Sequence, residues 1–171
     1  MTEITTSRFK LRPFATTDSL AFTNKINTKT IARDTTIPLP WGYDNVCWWI
    51  AFITKAANER PPSELHFVIE IDGEMAGSIG YINVVGHRGE LGYWLEDKYF
   101  GQGIMTEVVG VVTDHLAKKL NVKRIFAPIL PHNKASSRVL EKNGFLFEGT
   151  LKKYYYKDSK YIDALCYAKT Y

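Results

Sequence analysis

The chain has 171 residues, of which 45% are hydrophobic and 23% are charged, and its formal net charge is +4. This length favours one domain, and the apolar content excludes a disordered chain because enough surface can be buried to offset the chain entropy. The small positive charge is compatible with an anionic ligand but is too weak to argue alone for nucleic-acid binding.

The first half of the chain predicts one strand and two helices. Arg8–Phe14 alternates apolar and basic residues, which is typical of a strand. A helix is expected from Thr17-Asp18 to about Ile26, and a second from about Asn45 to Asn58 with Asp44 as its N-cap. Between them, residues 27–43 contain three helix breakers and are expected to be irregular.

The middle of the chain predicts a hairpin, a third strand and a long helix. Leu65–Ile71 and Met75–Val85 flank Asp72-Gly73, a dipeptide that favours a tight turn because both residues can adopt positive φ. A strand is expected over Glu90–Leu95. A largely apolar helix then follows over Ile104–Leu120.

The last part of the chain predicts a strand, a helix and two further strands. Lys123–Ile129 is a predicted strand, and Asn133 caps a helix that ends at Asn143-Gly144. The final strands are Phe145–Leu151 and Ile162–Ala168. The order β-α-α-β-β-β-α-β-α-β-β predicts an α/β fold, with a central mixed sheet of six to seven strands flanked by about four helices.

Three further expectations concern the cellular location of the protein, its contact with membranes and its need for a metal ion. No apolar run approaches the roughly 18 residues that span a bilayer, and Met1–Lys10 lacks the apolar core of a signal peptide. The two cysteines and four histidines show no spacing typical of metal ligands. We therefore expect a cytoplasmic protein that needs no metal and binds no membrane.

The stretch from Gly92 to Glu107 carries the strongest chemical signal. A strand ends here, a loop with Gly101 and Gly103 follows, and an apolar helix begins. Glycine lets the backbone approach a ligand, and the first turn of a helix offers unpaired N–H groups and the positive end of its dipole. These features predict a phosphate site, with an ordinary tight turn as the alternative. The loop is not a Walker A motif, since no Gly-Lys-Ser/Thr follows it. It is not a dinucleotide fingerprint either, since Thr106 stands in place of the third glycine.

The sequence resembles the GNAT superfamily of acyl-CoA-dependent N-acyltransferases, in the RimJ/RimL-like branch of ribosomal-protein N-terminal acetyltransferases. The resemblance covers nearly the whole chain and is densest in GELGYWLEDKYFGQGIMTEV and NKASSRVLEKNGFLFEGTLKK. It implies a single GNAT domain over residues 1–171, whose sheet splays between the strand ending at Trp94-Leu95 and Lys123–Ile129. It also implies that an acetyl group moves from acetyl-CoA to a primary amine, by direct attack in a ternary complex.

The resemblance further implies how acetyl-CoA is held. The glycine loop would bind the pyrophosphate through backbone amides, and the main chain of the preceding strand would hydrogen-bond the pantetheine arm. Asn133 would contact the pantetheine, and Ser136 would lie near the thioester sulfur. The implied cofactor-binding residues are Tyr93, Trp94, Leu95, Phe100, Gly101, Gln102, Gly103, Ile104, Met105, Thr106, Asn133 and Ser136.

Three positions depart from the family's pattern. Phe100 replaces a glutamine or arginine, which removes a possible phosphate donor, and Met105 replaces a glycine or alanine, which is expected to narrow the backbone approach. Leu140 stands where many members have the tyrosine that protonates the departing thiolate. For this branch the resemblance implies Ser136 as that acid, and the alternative is a serine that only completes the first helical turn.

Glu90 is the predicted base that takes the proton of the amine, directly or through water. On a strand it shares one face with Gly92 and Trp94, upstream of the implied pantetheine contacts. The alternative is a surface glutamate beside Arg88.

The acceptor site is expected between residues 27–43 with the following helix and the last hairpin. Aromatic side chains from these parts are candidate walls, although each could simply belong to the core. The predicted substrate-binding residues are Trp41, Tyr43, Tyr81 and Tyr154, with Trp48 and Trp49 as further candidates. The basic and aromatic run Lys152–Lys157 is interpreted as a solvated hairpin, so no nucleic-acid partner is expected.

The acceptor is either a protein N-terminus or a small-molecule amine, and the protein is either a monomer or a homodimer. A non-catalytic acyl-CoA-binding or sensing module is the alternative function, because Phe100, Met105 and Leu140 depart from the family's pattern. A nucleotide-binding domain is a third interpretation of the glycine loop.

Overall fold

The computed structural model describes residues 3–171, in which five helices pack on the two faces of one eight-stranded sheet. The strands are β1 (Ile4–Thr5), β2 (Lys10–Pro13), β3 (Leu65–Ile71), β4 (Glu74–Val85), β5 (Arg88–Leu95), β6 (Arg124–Ile129), β7 (Leu146–Lys157) and β8 (Lys160–Thr170). The helices are α1 (Ser19–Ile26), α2 (Lys29–Asp34), α3 (Tyr43–Ala57), α4 (Ile104–Leu120) and α5 (Lys134–Lys142). The spatial order of the strands is β1-β2-β3-β4-β5-β6-β8-β7.

The predicted fold class is confirmed, and the structure adds two short elements. One is β1, which pairs with β2 at the edge of the sheet. The other is α2, which lies in the segment expected to be irregular. Thr28 caps α2 by accepting a hydrogen bond from the amide of Ile31 at 3.2 Å. A helix of six residues is too short to show a hydrophobic period, so pattern reading misses it.

The start of α3 also differs from the prediction. Gly42 is its N-cap, and Asp44 lies in the first turn instead of capping the helix. A carboxylate is favourable in that turn because it faces the positive end of the helix dipole.

Two of the hairpins turn through residues with positive φ, as expected for two-residue β-turns. Asp72 and Gly73 have φ of 52° and 80° between β3 and β4, which confirms the predicted turn. Asp158 and Ser159 have φ of 51° and 59° between β7 and β8. Such turns match the right-handed twist of paired strands.

Each face of the sheet carries its own core. Helices α1 and α3 cover one face, where the buried side chains include Phe22, Ile50, Val68 and Trp94. Helices α4 and α5 cover the other face, where they include Ile79, Leu91, Val108 and Leu140. Alternation along the strands sends successive side chains to opposite cores.

A partly buried ion network joins the turn before α1 to the sheet. The guanidinium of Arg12 donates to both carboxylate oxygens of Asp18 at 2.8 Å and also pairs with Glu70. The Asp18 hydrogen bond raises the pKa of Arg12 above its ordinary value. These contacts link β2 to the turn before α1 and to β3.

The sheet opens between β5 and β6, which are parallel. Their ladder has three residue pairs, Arg88 with Arg124, Gly89 with Ile125, and Glu90 with Phe126. Beyond that point β5 runs on to Leu95 and stays paired with β4 alone, while β6 runs on to Ile129 and stays paired with β8. This divergence confirms the predicted splay and places its fork at Glu90.

Candidate active site

A cavity of about 260 Å³ lies at the splay between β5 and β6. Its walls come from both faces of the sheet. Trp41, His66 and Trp94 belong to the side covered by α1 and α3, whereas Asn133 and Ser136 belong to the side covered by α5. Groups from opposite faces can therefore reach one point through the gap.

Glu90 lies at the fork of the splay and lines the cavity. Burial raises the pKa of its carboxyl group, and a hydrogen bond from the Asn83 amide at 3.2 Å acts in the opposite direction. The structure thus brings the predicted base to the cavity, on the strand face shared with Gly92 and Trp94.

Ser136 is buried, 8% exposed, in the first turn of α5. Its hydroxyl oxygen lies 2.7 Å from the hydroxyl oxygen of Tyr93. Burial raises the pKa of the Tyr93 phenol, and the bond to Ser136 lowers it by less. The sequence predicted a main-chain role for Tyr93 and missed this pair, because 43 residues separate the two side chains.

Asn133 uses its side chain in two hydrogen bonds. Its carbonyl oxygen accepts from the amide of Ser136 at 3.0 Å, which confirms it as the cap of α5. Its amide group donates to the main-chain oxygen of Asp34 at 3.1 Å. Lys157 donates to the carbonyl of Thr35 at 2.7 Å and also contacts that of Ala32. The end of α2 is therefore held against the mouth of the cavity.

The loop before α4 has the backbone expected of an anion site. Gly101 and Gly103 have φ of 74° and 76°, a left-handed conformation that side-chain-bearing residues rarely adopt. The carbonyl of Gly103 accepts the first helical bond, from Glu107 at 3.1 Å. The N–H groups of the first turn of a helix have no acceptor within the helix, so they remain able to bind an anion.

Arg8 holds this loop and was not identified from the sequence. Its guanidinium donates to the carbonyl oxygen of Gln102 at 2.8 Å and to the carboxylate of Glu107 at 3.2 Å. It thereby places a positive charge beside the loop. Sequence offers no signal for a contact across 94 residues.

The two unusual loop residues behave differently from each other. Phe100 is 51% exposed. Met105 is buried in the core beneath α4, so its side chain points away from the loop surface. The expectation that Met105 narrows the backbone approach is therefore wrong. Leu140 is fully buried in the same core.

One of the four predicted acceptor-binding aromatics lines the cavity. Trp41 forms a wall with Phe22 and Trp49, with ring centroids 5.0 to 5.9 Å apart. Tyr81 is buried on the face covered by α4, with its ring against Gly89. Tyr43 is 51% exposed and Tyr154 is 44% exposed, and neither lines the cavity. Trp48 is an exposed side chain stacked on Phe52.

Tyr155 takes the place expected for Tyr154. Its ring lines the cavity and its hydroxyl donates to the carbonyl of Pro128 at 2.8 Å. The register of β7 against β8 shifts between Leu151 and Tyr155, and Lys153 within that interval has φ of 53°. Leu151 and Tyr155 pair with Ala164 and Ile162, so Tyr155 stays on the strand face of Leu151 across this irregularity, whereas Tyr154 lies on the opposite, exposed face.

Two features are absent from residues 3–171. This part of the chain contains no group of three or more His, Cys, Asp or Glu side chains arranged to hold a metal ion. It also contains no helix with the length and apolar character needed to cross a bilayer.

Comparison with known proteins identifies the class that this fold and site define. Residues 8–146 match the family described as the Acetyltransferase (GNAT) domain. The chain therefore belongs to the GNAT acetyltransferase family, as its motifs predicted.

Individual relatives support the predicted branch. The chain is 30% identical over 105 residues to the ribosomal-protein-serine acetyltransferase of Escherichia coli (strain K12), covering 60% of this chain and 59% of that protein. It is 39% identical over 97 residues to the probable N-acetyltransferase YjcK of Bacillus subtilis (strain 168), covering 53% and 52%. The chain thus spans a little over half the length of these relatives.

Solved structures agree in fold. RimJ of Mycobacterium smegmatis, in complex with CoA-disulfide, superposes with a TM-score of 0.82 at 29% identity, covering 95% of this chain and 81% of that one. Ribosomal-protein-S5-alanine acetyltransferase of Vibrio fischeri superposes with a TM-score of 0.90 at 24% identity, covering 99% and 97%. These relatives confirm the resemblance to RimJ/RimL-like acetyltransferases.

Proposed function

We propose that residues 1–171 form one N-acetyltransferase domain, which transfers the acetyl group of acetyl-CoA to a primary amine in a ternary complex. The observation that carries this proposal is the cavity at the splay, since it is lined from both faces of the sheet. A donor on the side of α5 and an acceptor on the side of α3 would meet there, which favours direct attack over a covalent enzyme intermediate.

Acetyl-CoA fits the donor side on two structural grounds. The left-handed glycines before α4 expose the N–H groups of its first turn, which suit a pyrophosphate. The edge of β5 beyond Glu90 has no strand partner on the side of β6, so the amides of a pantetheine arm can satisfy its backbone groups. The relative from Mycobacterium smegmatis is a complex with CoA-disulfide, which supports this ligand.

Glu90 is the proposed proton acceptor for the amine. An ammonium group cannot attack a carbonyl carbon, so a proton must leave before or during the attack. An α-amino group has a pKa of about 8 and is partly neutral at pH 7, whereas an alkylamine near 10.4 needs more help. A carboxylate at the fork of the splay can take that proton directly or through water.

The hydroxyl pair of Tyr93 and Ser136 is the proposed proton source for the departing thiolate. The two oxygens lie 2.7 Å apart on the donor side of the cavity, so one hydroxyl can donate while the other supports it. A free N–H of the splayed part of β5 can hold the negative charge that develops on the carbonyl oxygen. Leu140 is buried and takes no part.

The acceptor is a protein N-terminus or a small-molecule amine. The relatives include enzymes named for a ribosomal-protein serine, for the alanine of ribosomal protein uS5 and for spermidine. Acceptors of these kinds would place the reaction in the cytoplasm. The wall formed by Phe22, Trp41 and Trp49 would contact the apolar part of the acceptor behind its amine.

Calorimetry with acetyl-CoA, combined with a thiol-release assay on N-terminal peptides, polyamines and other amines, tests this function. Acetyl-CoA binding together with thiol release for at least one amine supports it. Binding without release for every acceptor would favour a non-catalytic acyl-CoA module. Binding of ATP or NAD without acetyl-CoA would favour a nucleotide-binding domain.

A pair of glycine variants gives the matched control for the donor site. Gly103→Ala places a side chain at φ of 76° and should weaken acetyl-CoA binding by distorting the loop. Gly42→Ala lies at the cap of α3, at φ of −74°, where an added Cβ meets no atom within 4 Å. It should bind acetyl-CoA as the unaltered protein does.

A further inference from the structure

The proposed function gives no role to His66, a buried side chain that lines the cavity and is paired with the partly buried Glu64 outside it. The Nε2 atom of His66 lies 2.8 Å from a carboxylate oxygen of Glu64, and the His66 side chain is 10% exposed. The edge of the imidazole packs against Trp49 of α3, with ring centroids 5.1 Å apart. Such a side chain is held in one orientation by its carboxylate and by its aromatic neighbour.

The partner of Nε2 decides where the lone pair of the neutral imidazole lies. A carboxylate only accepts hydrogen bonds, so the proton belongs on Nε2 and Nδ1 is left as the acceptor. In residues 3–171, the hydrogen bond of the His66 ring is the one to Glu64. His66 lines the cavity, and its Nδ1 atom lies over Gly80 of the neighbouring strand.

Glycines leave space for this ring on the face of the sheet. His66 pairs with Gly80, which in turn pairs with Gly92. A Cβ atom on Gly80 would lie 2.6 Å from Nδ1, so the ring occupies the space that a side chain would fill. A Cβ atom on Gly92 would meet nothing within 4 Å, so the surface there is open.

Glu90 lies one pair further along on the same face. It is paired with Ile82, which shares its strand face with Gly80. Strands are about 4.8 Å apart and residues rise about 3.4 Å along a strand, so the main chains of His66 and Glu90, which are two strands and two residues apart, are separated by about 12 Å. Their side chains extend over open glycine surface into one cavity, a spacing that one or two water molecules can bridge.

We propose that His66, oriented by Glu64, is a second proton acceptor of this site, which receives the amine proton from Glu90 through water and releases it to solvent. The inference rests on the proposed acetyl transfer. In the first step, the N–H bond of the ammonium breaks as an O–H bond forms on Glu90. In the second, that proton moves to Nδ1 and leaves an imidazolium beside the Glu64 carboxylate. Loss of the proton to water restores both groups.

The chemistry of the neighbouring groups supports this order. Burial raises the pKa of Glu90, so a nearby base would help its carboxyl group to lose the proton after each turnover. Imidazole is the side chain that ordinarily changes charge between pH 5 and 8. The charged and titratable groups that line the cavity with His66 are Asp34, Glu90, Tyr93 and Tyr155. Trp49, which packs directly on the ring, carries no charge.

His66→Gln is the test variant, and His115→Gln is its matched control. His115 is a partly buried histidine that also packs on an aromatic ring, Phe67, but outside the cavity. At pH 7 and saturating acetyl-CoA, we expect His66→Gln to lower kcat for an amine acceptor by about 10- to 100-fold. The Kd for acetyl-CoA should stay unchanged, and the loss should shrink as the pH approaches the pKa of the amine.

Two more variants separate a proton role from a structural one. In a relay, His66→Gln combined with Glu90→Gln should lose little more activity than the worse single variant, because both groups act on one proton. In His66→Ala, added imidazole should restore part of the turnover while the Kd for acetyl-CoA stays constant.

The outcomes distinguish this inference from the function on which it rests. An unaltered protein that transfers acetyl to no tested amine would overturn the proposed function itself. If the unaltered protein is active, wild-type turnover and an unchanged pH profile in His66→Gln would refute the role of His66. Losses that multiply in the double variant would also refute the relay, as would a folded His66→Ala that imidazole does not rescue.

Discussion

Replacing Glu90 by glutamine removes the proposed base while preserving its surroundings. Glutamine has the size of glutamate, and its carbonyl oxygen can still accept the hydrogen bond that Asn83 donates at 3.2 Å. The variant therefore changes one property of the cavity, the ability of this position to take a proton. Acetyl-CoA binding should be unaffected, because the loop before α4 and the free edge of β5 are intact.

The size of the effect follows from the neutral fraction of the amine. Without a base, the amine has to arrive neutral, and for an α-amino group of pKa about 8 roughly one molecule in ten is neutral at pH 7. We therefore expect kcat/KM to fall at least tenfold at that pH, which is about 1.4 kcal/mol of transition-state stabilisation. For an alkylamine near pKa 10.4 the loss could reach roughly a thousandfold. The pH at which the deficit closes would thus report the class of acceptor.

The same substitution, Glu90→Gln, should leave the free energy of unfolding unchanged or raise it, although it lowers turnover. Burial raises the pKa of Glu90 in the folded protein, so the folded state binds its proton more readily than the unfolded state does. A carboxyl group of this kind lowers the free energy of unfolding as the pH rises through the interval between the two pKa values. Glutamine carries no charge to desolvate, so Glu90→Gln should be at least as stable as the unaltered protein at pH 7.

Thiol release from pH 6 to 9, at saturating acetyl-CoA, measures the effect on turnover. Thermal unfolding at pH 7 measures the effect on stability. Glu59→Gln, an exposed glutamate outside the cavity, is the control and should match the unaltered protein in both assays. Unchanged turnover of a good acceptor at pH 6 to 7 would rule Glu90 out as the base. A deficit that is constant across the pH range would assign Glu90 a structural role instead.

Three further variants test other parts of the structure. Tyr93→Phe removes the phenol that contacts Ser136 and should lower thiol release about tenfold with acetyl-CoA affinity unchanged; equal rates would exclude the hydroxyl pair as the acid. Arg8→Ala removes one bond to the loop before α4 and one to Glu107 in the first turn of α4, and it should raise the Kd for acetyl-CoA about three- to tenfold in calorimetry, since one net hydrogen bond contributes about 1 kcal/mol. An unchanged Kd would show that acetyl-CoA binding does not depend on the contacts of Arg8. Arg12→Leu leaves two largely buried carboxylates unpaired and should cost about 3–5 kcal/mol in urea unfolding, so a loss below about 1 kcal/mol contradicts that assignment.

Local signals predicted the parts of the fold that local physics determines. Asp72-Gly73 predicted its hairpin because few dipeptides adopt positive φ at both residues. The glycines before α4 predicted the left-handed loop for the same reason. Strand alternation placed Glu90 on the face that turns out to line the cavity.

Contacts between distant segments were beyond such reasoning. The pairing of Tyr93 with Ser136 and the support of the loop by Arg8 depend on how β5 and α4 are placed against other elements. That Tyr155 and not Tyr154 lines the cavity depends on which face of the last hairpin lies against the splay. The position of the His66 ring over Gly80 depends on the register of β3 against β4, which the sequence alone does not define.

The divergence of β5 and β6 also bears on the size of molecule that the protein can accommodate. In an unbroken sheet, backbone hydrogen bonds join neighbouring strands along their whole length. A bulky acceptor would then have to enter through a deep pocket on one face of the sheet. Here the two strands separate after Glu90 and Phe126, so the projecting end of a polypeptide could enter the gap while the rest of that polypeptide stays outside.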